Sequence, residues 1–523
     1  MQASPAHDGG PLVAAASAST VGGLFAAAAR LHPARIAVEG TDGRQTTYGV
    51  LAERVARLAG VLAAAGAERG ARIAVLSENR AEYLEVFLAA ALTGAIVACQ
   101  NWRLAPVELA RCLELVEPTM TFVSPRHAAT LAALGRPGTP VVFGSDGLAD
   151  YERRLAAAPA FSPPPGAGPG PEDPLLILYT SGTTGTPKGA VISHRAEIAR
   201  NLVIMAEYGI SPGETFAAWS PLYHMGAVDW SLGALMSGGK VVIVDGFDAA
   251  RLAHVVEAET LGWLLLMPGM VGKFADELVA RGVNPKGVKL CGVMADLVPP
   301  AEIARITSLL RAPYANTFGA TETGCPPCSS NRIPVGVVPT RLSKEQSPFC
   351  EVRLVDADDR DVPDGTPGEL CLRGPTLFSG YFRAEAVNAH EFRGGWFHMG
   401  DVFVRHPDGT LDFVDRVKYL IKSGGENIYP AEIERVLLQD GRVADAAVVR
   451  RPDARWGEVP IAFVARRDPT LSADDLQRLC RRELAGYKQP KAIVFIEEHE
   501  LPRSASGKIQ RQELEKQDRR DKG

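Results

Sequence analysis

Residues 179–189 read Tyr-Thr-Ser-Gly-Thr-Thr-Gly-Thr-Pro-Lys-Gly. Hydroxyls at Thr183, Thr184 and Thr186 sit among Gly182, Gly185 and Gly189, and Lys188 stands near the end. Glycine lets the main chain turn tightly and bring its N–H groups up to an anion. Hydroxyls donate to phosphate oxygens, and an ammonium adds a positive point charge. Together these types support one chemistry, the holding of a polyphosphate. The spacing is not that of the common Gly-x-x-x-x-Gly-Lys-Ser/Thr loop, because glycine follows Lys188. Cys325-Pro-Pro-Cys328 has the spacing of a redox pair. Two prolines deny it the helical turn that lowers a redox thiol's pKa, and no second Cys/His pair is near enough to complete a zinc site. Both cysteines are expected as buried or pocket-lining small residues.

A phosphate loop needs rigid elements on either side. Leu175–Leu178 is an apolar run short enough for a buried strand. Upstream, helical patterns over Val21–Leu31, Gly49–Ala65, Arg80–Leu92 and Ala105–Leu115 alternate with strands at Ile36–Val38, Ala71–Leu76 and Ile96–Cys99. Downstream the pattern resumes through Arg195–Ala206, Phe216–Trp219, Gly239–Val244 and Ala249–Glu259. Such alternation implies parallel α/β units with buried sheets. With 523 residues the chain is too long for one core, so two or more domains are expected. The net charge of −5 leaves no electrostatic footprint for nucleic acid or an anionic membrane. No apolar run reaches membrane-spanning length. Residues 1–18 read as a disordered tail, because the Ala-rich stretch that could pass for a signal peptide has no basic segment before it. Eight scattered cysteines are too few for a disulfide framework in a chain of this size, and they suit a reducing cytoplasm.

Residues 179–189 resemble the phosphate loop of the adenylate-forming enzymes. That superfamily holds acyl- and aryl-CoA synthetases, peptide-synthetase adenylation domains and beetle luciferases. The resemblance implies that Thr180, Ser181, Gly182, Thr183, Thr184, Gly185 and Lys188 hold the phosphates of ATP. Asn316-Thr-Phe-Gly-Ala-Thr-Glu-Thr-Gly324 is similar to the family's Tyr-Gly-x-Thr-Glu segment. It implies that Phe318 stacks on adenine, Thr321 meets the α-phosphate and Glu322 holds Mg²⁺, with Thr183 as a second metal-side residue. Phe318 keeps a tyrosine's stacking face and loses its hydroxyl. One carboxylate suffices for an ion that completes its octahedron with phosphate and water. Gly395-Trp-Phe-His-Met-Gly-Asp401 and Asp415-Arg-Val-Lys418 imply that Asp401 and Arg416 meet the ribose.

Pro221-Leu-Tyr-His224 resembles the family's Pro-x-x-His, whose histidine lines the acyl pocket and gates the thiol tunnel. Gly226 to Trp230 then become pocket wall, where Asp229 is odd. A carboxylate there repels a second substrate carboxylate unless it points to solvent or pairs locally. Ser423–Pro430 resembles the loop of the pantetheine tunnel, which implies close approach at Gly424 and Gly425. Pro502-Arg-Ser-Ala-Ser-Gly-Lys508 makes Lys508 the lysine that neutralises charge as the acyl-adenylate forms. Two departures stand out. Cys291-Gly-Val-Met-Ala-Asp296 replaces the usual Gly-Gly-Ala-Pro, and residues 332–349 lack the glycine-rich turn expected before a strand at Val352–Val355.

The resemblance covers nearly the whole chain. It implies an α/β fold with a large multi-subdomain N-terminal domain over 19–417, a hinge at Lys418 and a small mobile α+β domain over 419–523. The activity implied is an AMP-forming acyl-CoA synthetase, with Mg²⁺ as cofactor and ATP and CoA as co-substrates. The acid is expected to be medium-chain, branched, alicyclic or aromatic. Met267, Met270, Met294, Trp230 and the Cys325/Cys328 pair make a mainly apolar pocket if they line it as the resemblance implies, and no pocket arginine is evident. The alternative is a stand-alone adenylation enzyme loading a carrier protein. Its amino-acid form needs a carboxylate for the substrate amine, for which Asp229 is the candidate. A nucleotide sensor requires loss of Thr183, Glu322, Asp401, Arg416 and Lys508, and all are present. The Lys508 segment also resembles a site of protein acetyltransferases, so an acetyltransferase and a deacetylase are expected partners. Monomer and homodimer both stand open.

Overall fold

The computed structural model describes residues 18–135, 138–144, 150–162, 168–180, 188–423, 426–503 and 509–520. The expected tail lies outside these except for Ala18. Cα packing divides the chain into two compact units, Met1–Glu351 with Arg373–His390, and Val352–Leu372 with Glu391–Gly523.

The first unit carries a six-stranded sheet among its described residues. Its order is Thr139–Val142, Met120–Val123, Arg72–Leu76, Ile96–Cys99, Pro174–Thr180 (β1) and Lys188–Ser193 (β2). The strands run parallel as far as β1, and β2 returns antiparallel at the edge. Leu175–Leu178 of β1 is fully buried, which explains why the run is apolar without alternation. Helix α1 (His194–Tyr208) follows β2 directly; the Ser193 side chain caps it by accepting from the Ala196 N–H, and Gly209 ends it in the left-handed region.

The second sheet of this unit has eight strands. It runs Arg332–Ile333, Tyr314–Ala315, Gly287–Cys291, Thr260–Leu264, Thr215–Ala218 (β3), Lys240–Ile243, Ile36–Glu39, Gln45–Thr47. Only the two outermost strands are antiparallel to their neighbours. From the end of β3 the chain passes through Pro221–His224 into helix α2 (Met225–Met236). A separate antiparallel hairpin pairs β4 (Phe318–Ala320) with β5 (Gly324–Cys328).

The second unit has a four-stranded sheet in the order Glu351–Val355, Gly368–Arg373, Phe397–Arg405 (β6), Leu411–Arg416 (β7). It also has a five-stranded sheet built on Val443–Asp453 and Gly457–Arg466, with apolar clusters on both faces. Helices and sheets are both present, so the α+β expectation for the C-terminal part is met. The four-stranded sheet packs with the C-terminal residues, so the packing boundary precedes Lys418.

One buried histidine ties the first unit together. His194, the first residue of α1, is fully buried, and its Nδ1 accepts the Val21 N–H at 3.2 Å. That N–H opens the helix Val21–Leu31, so the ring must stay neutral to act as an acceptor. Burial holds its pKa down from 6.5 to about 4, and nearby Asp173 offsets this only in part. From about pH 6.5 down to 4 the unfolded chain takes up a proton that the folded chain refuses, so stability falls with acid across that window. His194→Asn keeps an acceptor oxygen and removes the titration. The parent is expected to lose roughly 3 kcal/mol relative to this variant between about pH 7 and pH 4. Parallel urea titrations of the two proteins measure the difference, and equal slopes would rule the effect out.

Candidate active site

β1 and β2 hold the two ends of the phosphate segment face to face. Thr180 pairs across from Lys188 in the antiparallel register. Tyr179 is anchored below them, donating its hydroxyl to the Cys112 carbonyl at 2.7 Å and accepting from Gln100 Nε2 at 3.2 Å. The outer edge of β2 does not face solvent alone. Residues 379–382 pair along it through Ser379 N–H to Val191 O (2.8 Å), Val191 N–H to Gly380 O (3.0 Å) and Phe382 N–H to Gly189 O (2.8 Å). This pairing delivers Tyr381. Lys188 Nζ lies 4.8 Å from the centre of its ring, and its hydroxyl donates to Glu322 Oε1 at 2.8 Å. Residues from three separate stretches of the sequence thus form one line, Lys188–Tyr381–Glu322.

Thr321 and Glu322 lie in the turn of the β4–β5 hairpin, half-buried, with Phe318 at the start of β4. The Thr323 side chain closes the turn by accepting the Ala320 N–H at 3.0 Å. Gly319 is required here, since a Cβ would come within 2.0 Å of the Gly324 carbonyl. From outside the turn, the Phe378 N–H donates to the Glu322 carbonyl at 2.9 Å.

His224 is the N-cap residue of α2, half-buried, with its ring 4.6 Å from that of Tyr223. The segment leading to it is set by Asn79. Its Nδ2 donates to the carbonyls of Ala218, Ser220 and Val244, and its Oδ1 accepts the Leu222 N–H at 2.8 Å. On α2, Trp230 packs 4.6 Å from Trp263, ring centre to ring centre. Met267 and Met270 flank the core cluster under the eight-stranded sheet, and Cys325 and Cys328 are buried. Asp229 does not point to solvent. It is buried and pairs with Arg200, Nη1 to Oδ2 at 3.2 Å. Arg200 is therefore a buried arginine that sequence reasoning missed, and it is already paired.

The two sequence departures prove to be partners. Lys344, from the segment without its glycine-rich turn, is fully buried. Its Nζ reaches Asp296 Oδ2 at 2.5 Å and Asn316 Oδ1 at 2.8 Å. Asp296 ends the atypical Cys291–Asp296 segment, and Asn316 opens the adenylate motif. Met294, within the atypical segment, takes a left-handed conformation with φ 49°, a strain that functional segments tolerate when neighbours fix it.

In the second unit, Asp401 on β6 pairs across from Arg416 on β7. Arg416 Nε lies 2.9 Å from Asp401 Oδ1, with the carboxylate buried and the guanidinium 39% exposed. Glu369 supports the irregular stretch of β6 before Asp401, accepting the Gly400 N–H at 3.1 Å while its other oxygen meets His398 Nδ1 at 3.1 Å. Lys418 lies in the short helical turn Val417–Tyr419, and its carbonyl accepts from Arg450 Nη2 at 2.9 Å. Ser181, Gly182, Thr183, Thr184, Gly185, Gly424, Gly425 and Lys508 lie outside the described residues.

Known proteins are similar to this chain in sequence and in fold. The AMP-binding enzyme family matches residues 25–382, and the AMP-binding enzyme C-terminal domain matches residues 432–508. The chain is 33% identical over 494 residues to the indoleacetate–CoA ligase of Aromatoleum aromaticum, covering 93% of this chain and 96% of that one. It is 34% identical to a feruloyl-CoA synthase of Amycolatopsis sp., with the same coverage. The o-succinylbenzoate CoA synthetase MenE of Bacillus subtilis, solved in complex with its acyl-adenylate intermediate, matches with a TM-score of 0.80 at 25% identity, covering 94% of this chain and 97% of that one. The same enzyme with ATP and a magnesium ion gives 0.80 at 25%, covering 94% and 98%.

The Lys344–Asp296 pair makes an asymmetric prediction. Asp296→Ala strands a fully buried ammonium, which is expected to cost about 3 kcal/mol. Lys344→Met fills the same space with apolar atoms and leaves Asp296, 35% exposed, free to turn to water. Its cost is expected at about 1 kcal/mol or less. Urea midpoints of the two variants test the order; a reversed order would mean the pair does not hold Lys344 in place.

Proposed function

The chain belongs to the AMP-binding enzyme family, and on that premise we infer how its own residues divide the work of an AMP-forming acid–CoA ligase. A carboxylate oxygen of the acid attacks the α-phosphorus of ATP, the bond to the bridging oxygen breaks, and pyrophosphate leaves. The CoA thiol, giving up its proton, then attacks the acyl carbon, and AMP leaves with the electron pair of the broken C–O bond. ATP and CoA are the co-substrates, as in the CoA ligases it resembles.

The observation that carries the assignment of roles is the line Lys188–Tyr381–Glu322. A cation beside the phosphate segment and a carboxylate in the adenylate turn are oriented through one aromatic residue. Thr180 and Lys188 hold the phosphate chain, Thr321 meets the α-phosphate, and Phe318 offers its ring to adenine. Asp401 accepts from the ribose hydroxyls with Arg416 beside it. His224 lines the acyl side. Glu322 suits Mg²⁺: it offers hard oxygens, and its carboxylate is held by the Tyr381 hydroxyl. Among the described residues no cluster of three ligating side chains competes with it. When bound, the ion neutralises charge on the departing pyrophosphate. The acid is proposed to be an aromatic monocarboxylic acid. The indoleacetate and feruloyl relatives support this, as does the Trp230–Trp263 pair, with Trp230 fewer than two turns along α2 from His224.

Lys508 is proposed to stabilise the first transition state, Gly424 and Gly425 to flank the thiol, and Lys418 to be the pivot between the two half-reactions. Acetylation of Lys508 by a protein acetyltransferase would remove its charge, and a deacetylase would restore it. Scattered, buried cysteines suit a reducing cytoplasm.

Glu322→Gln should lower pyrophosphate release by at least ~10²-fold with the fold intact. Across a panel of aryl, medium-chain and dicarboxylic acids, assayed with and without CoA, kcat/KM should be highest for an aryl acid and the product should be its CoA thioester. An adenylate that CoA leaves untouched and a carrier protein consumes would replace the ligase reading with carrier loading. Separate half-reactions test the lysine. Lys508→Ala, or the acetylated enzyme, should slow adenylate formation by roughly 10²–10³ while sparing thioester formation from supplied adenylate. Lys418→Pro should do the reverse, since proline fixes φ. Equal slowing of both steps in either variant would contradict the pivot.

A further inference from the structure

Arg200 on α1 is 1% exposed, yet the line of phosphate and metal residues gives it no part. Its guanidinium grips three separate segments. Nη1 donates to Asp229 Oδ2 on α2 at 3.2 Å, Nη2 to the Thr321 carbonyl at 2.9 Å, and Nε to the Thr376 carbonyl at 3.1 Å. Thr321 belongs to the turn that presents Glu322. Thr376 begins the segment that runs on to Phe378 and Tyr381, both hydrogen-bonded to Glu322. One rigid fork thus holds the turn and the segment that braces it from the other side. The stem of Arg200 passes where Gly324 has no side chain; a Cβ there would lie 2.8 Å from its Cγ, and Gly324 has φ +74°. The glycine that closes the Thr-Glu-Thr-Gly motif is therefore shaped to this arginine.

A buried cation needs a counter-charge, and here two carboxyls offer one. Glu197, one turn earlier on α1, is fully buried and its carboxyl meets that of Asp229. Asn201 Nδ2 donates both to Glu197 Oε1 at 3.1 Å and to the Asp229 carbonyl at 3.1 Å. The other oxygens, Glu197 Oε2 and Asp229 Oδ1, are buried without a donor. Two ionised carboxylates facing each other beside one guanidinium would leave a net negative charge in a dry site, which is costly. A single proton on Glu197 Oε2, donated to Asp229 Oδ1, satisfies both orphaned oxygens and makes the cluster neutral. Burial pushes both carboxyls above their usual range; the Arg200 guanidinium pulls Asp229 back down while the Asp229 charge pushes Glu197 further up, so the proton is assigned to Glu197.

We propose that Arg200 is a positioning residue for the Thr321–Glu322 turn and that it acts as one unit with ionised Asp229 and protonated Glu197. The proposal rests on the assignment of that turn to ATP and its metal, and it adds a residue set that touches neither.

The chemistry predicts an unusual ranking of variants. Glu197→Gln places an amide N–H where the proton sits and keeps the oxygen that accepts from Asn201. Its rate of pyrophosphate release should stay within about twofold of the parent. Arg200→Lys keeps the charge and loses the fork, so it cannot reach three acceptors. It should lower pyrophosphate release by ~10-fold or more and raise the KM for ATP and the Mg²⁺ concentration for half-maximal rate, because a displacement of order 1 Å can cost up to ~10²-fold. The double variant Glu197→Gln with Asp229→Asn removes all negative charge from the cluster and should fall further than the two single variants combined. A second readout needs no turnover: the parent at about pH 8 should show an infrared carbonyl band of a protonated carboxylic acid that Glu197→Gln loses. A strong loss of activity in Glu197→Gln, or no such band, would overturn the shared proton. An Arg200→Lys enzyme with parental KM for ATP would overturn the positioning, and if that variant does not fold, a parental double variant would do the same. Parental activity in Glu322→Gln would instead remove the assignment of the turn, and the positioning with it, while the infrared band would still report the proton.

Discussion

A strand that returns antiparallel at the edge of a parallel sheet fixes much of the candidate site. β2 can add to β1 only by coming back along it, so Thr180 and Lys188 must face each other however the residues between them are arranged. The same geometry leaves β2 with an unpaired edge. An exposed edge invites foreign strands, and here residues 379–382 cover it. Covering the edge brings Tyr381 to Lys188 and Glu322. The hydrogen bonds that complete the sheet are thus the ones that assemble the site, and a residue far along the chain is placed by backbone pairing before any side chain acts.

Much of this was legible in the sequence, for identifiable reasons. Leu175–Leu178 announced a buried strand because a strand covered on both faces has no polar alternation to blur it. Thr321, Glu322, Asp401 and Arg416 could be singled out because each stands in a short local motif. The structure places Asp401 and Arg416 across from each other, a pairing that local motifs could not supply. Asn79, Glu369 and Arg200 were not legible. Each acts through main-chain groups far away in sequence, and nothing in a residue's type reveals which carbonyls or N–H groups will surround it. Asp229 was visible as an anomaly, but its partner lies on another helix, so its meaning was not.

The two departures from the family pattern show the same limit from the other side. Asp296 and the glycine-poor stretch at 332–349 each look like damage when read alone. Lys344 joins them, and Asn316 gains a further anchor from the join, donating through Nδ2 to the Leu342 and Ser343 carbonyls at 3.1 Å each. A segment that loses flexible glycines and gains a fixed lysine trades local freedom for a specific long-range contact. That contact ties the segment that carries the strained Met294 to Asn316 through Lys344.

Arg200 and Lys344 together raise the question of why a core keeps cations at all. Burying an ion pair often contributes no net stability, and an apolar replacement of similar volume can be better. Both residues, however, hold groups that an apolar side chain could not hold. Arg200 fixes two carbonyls and a carboxylate; Lys344 fixes a carboxylate and an amide. In each case one of the held groups belongs to the Asn316–Gly324 segment, at Thr321 and at Asn316. Dispersion would pack that segment closely but would leave its rotation about the hairpin axis only weakly specified, whereas directed hydrogen bonds from a fixed cation specify it. The desolvation cost therefore maintains orientation, and it falls on the segment that presents Glu322 to Tyr381.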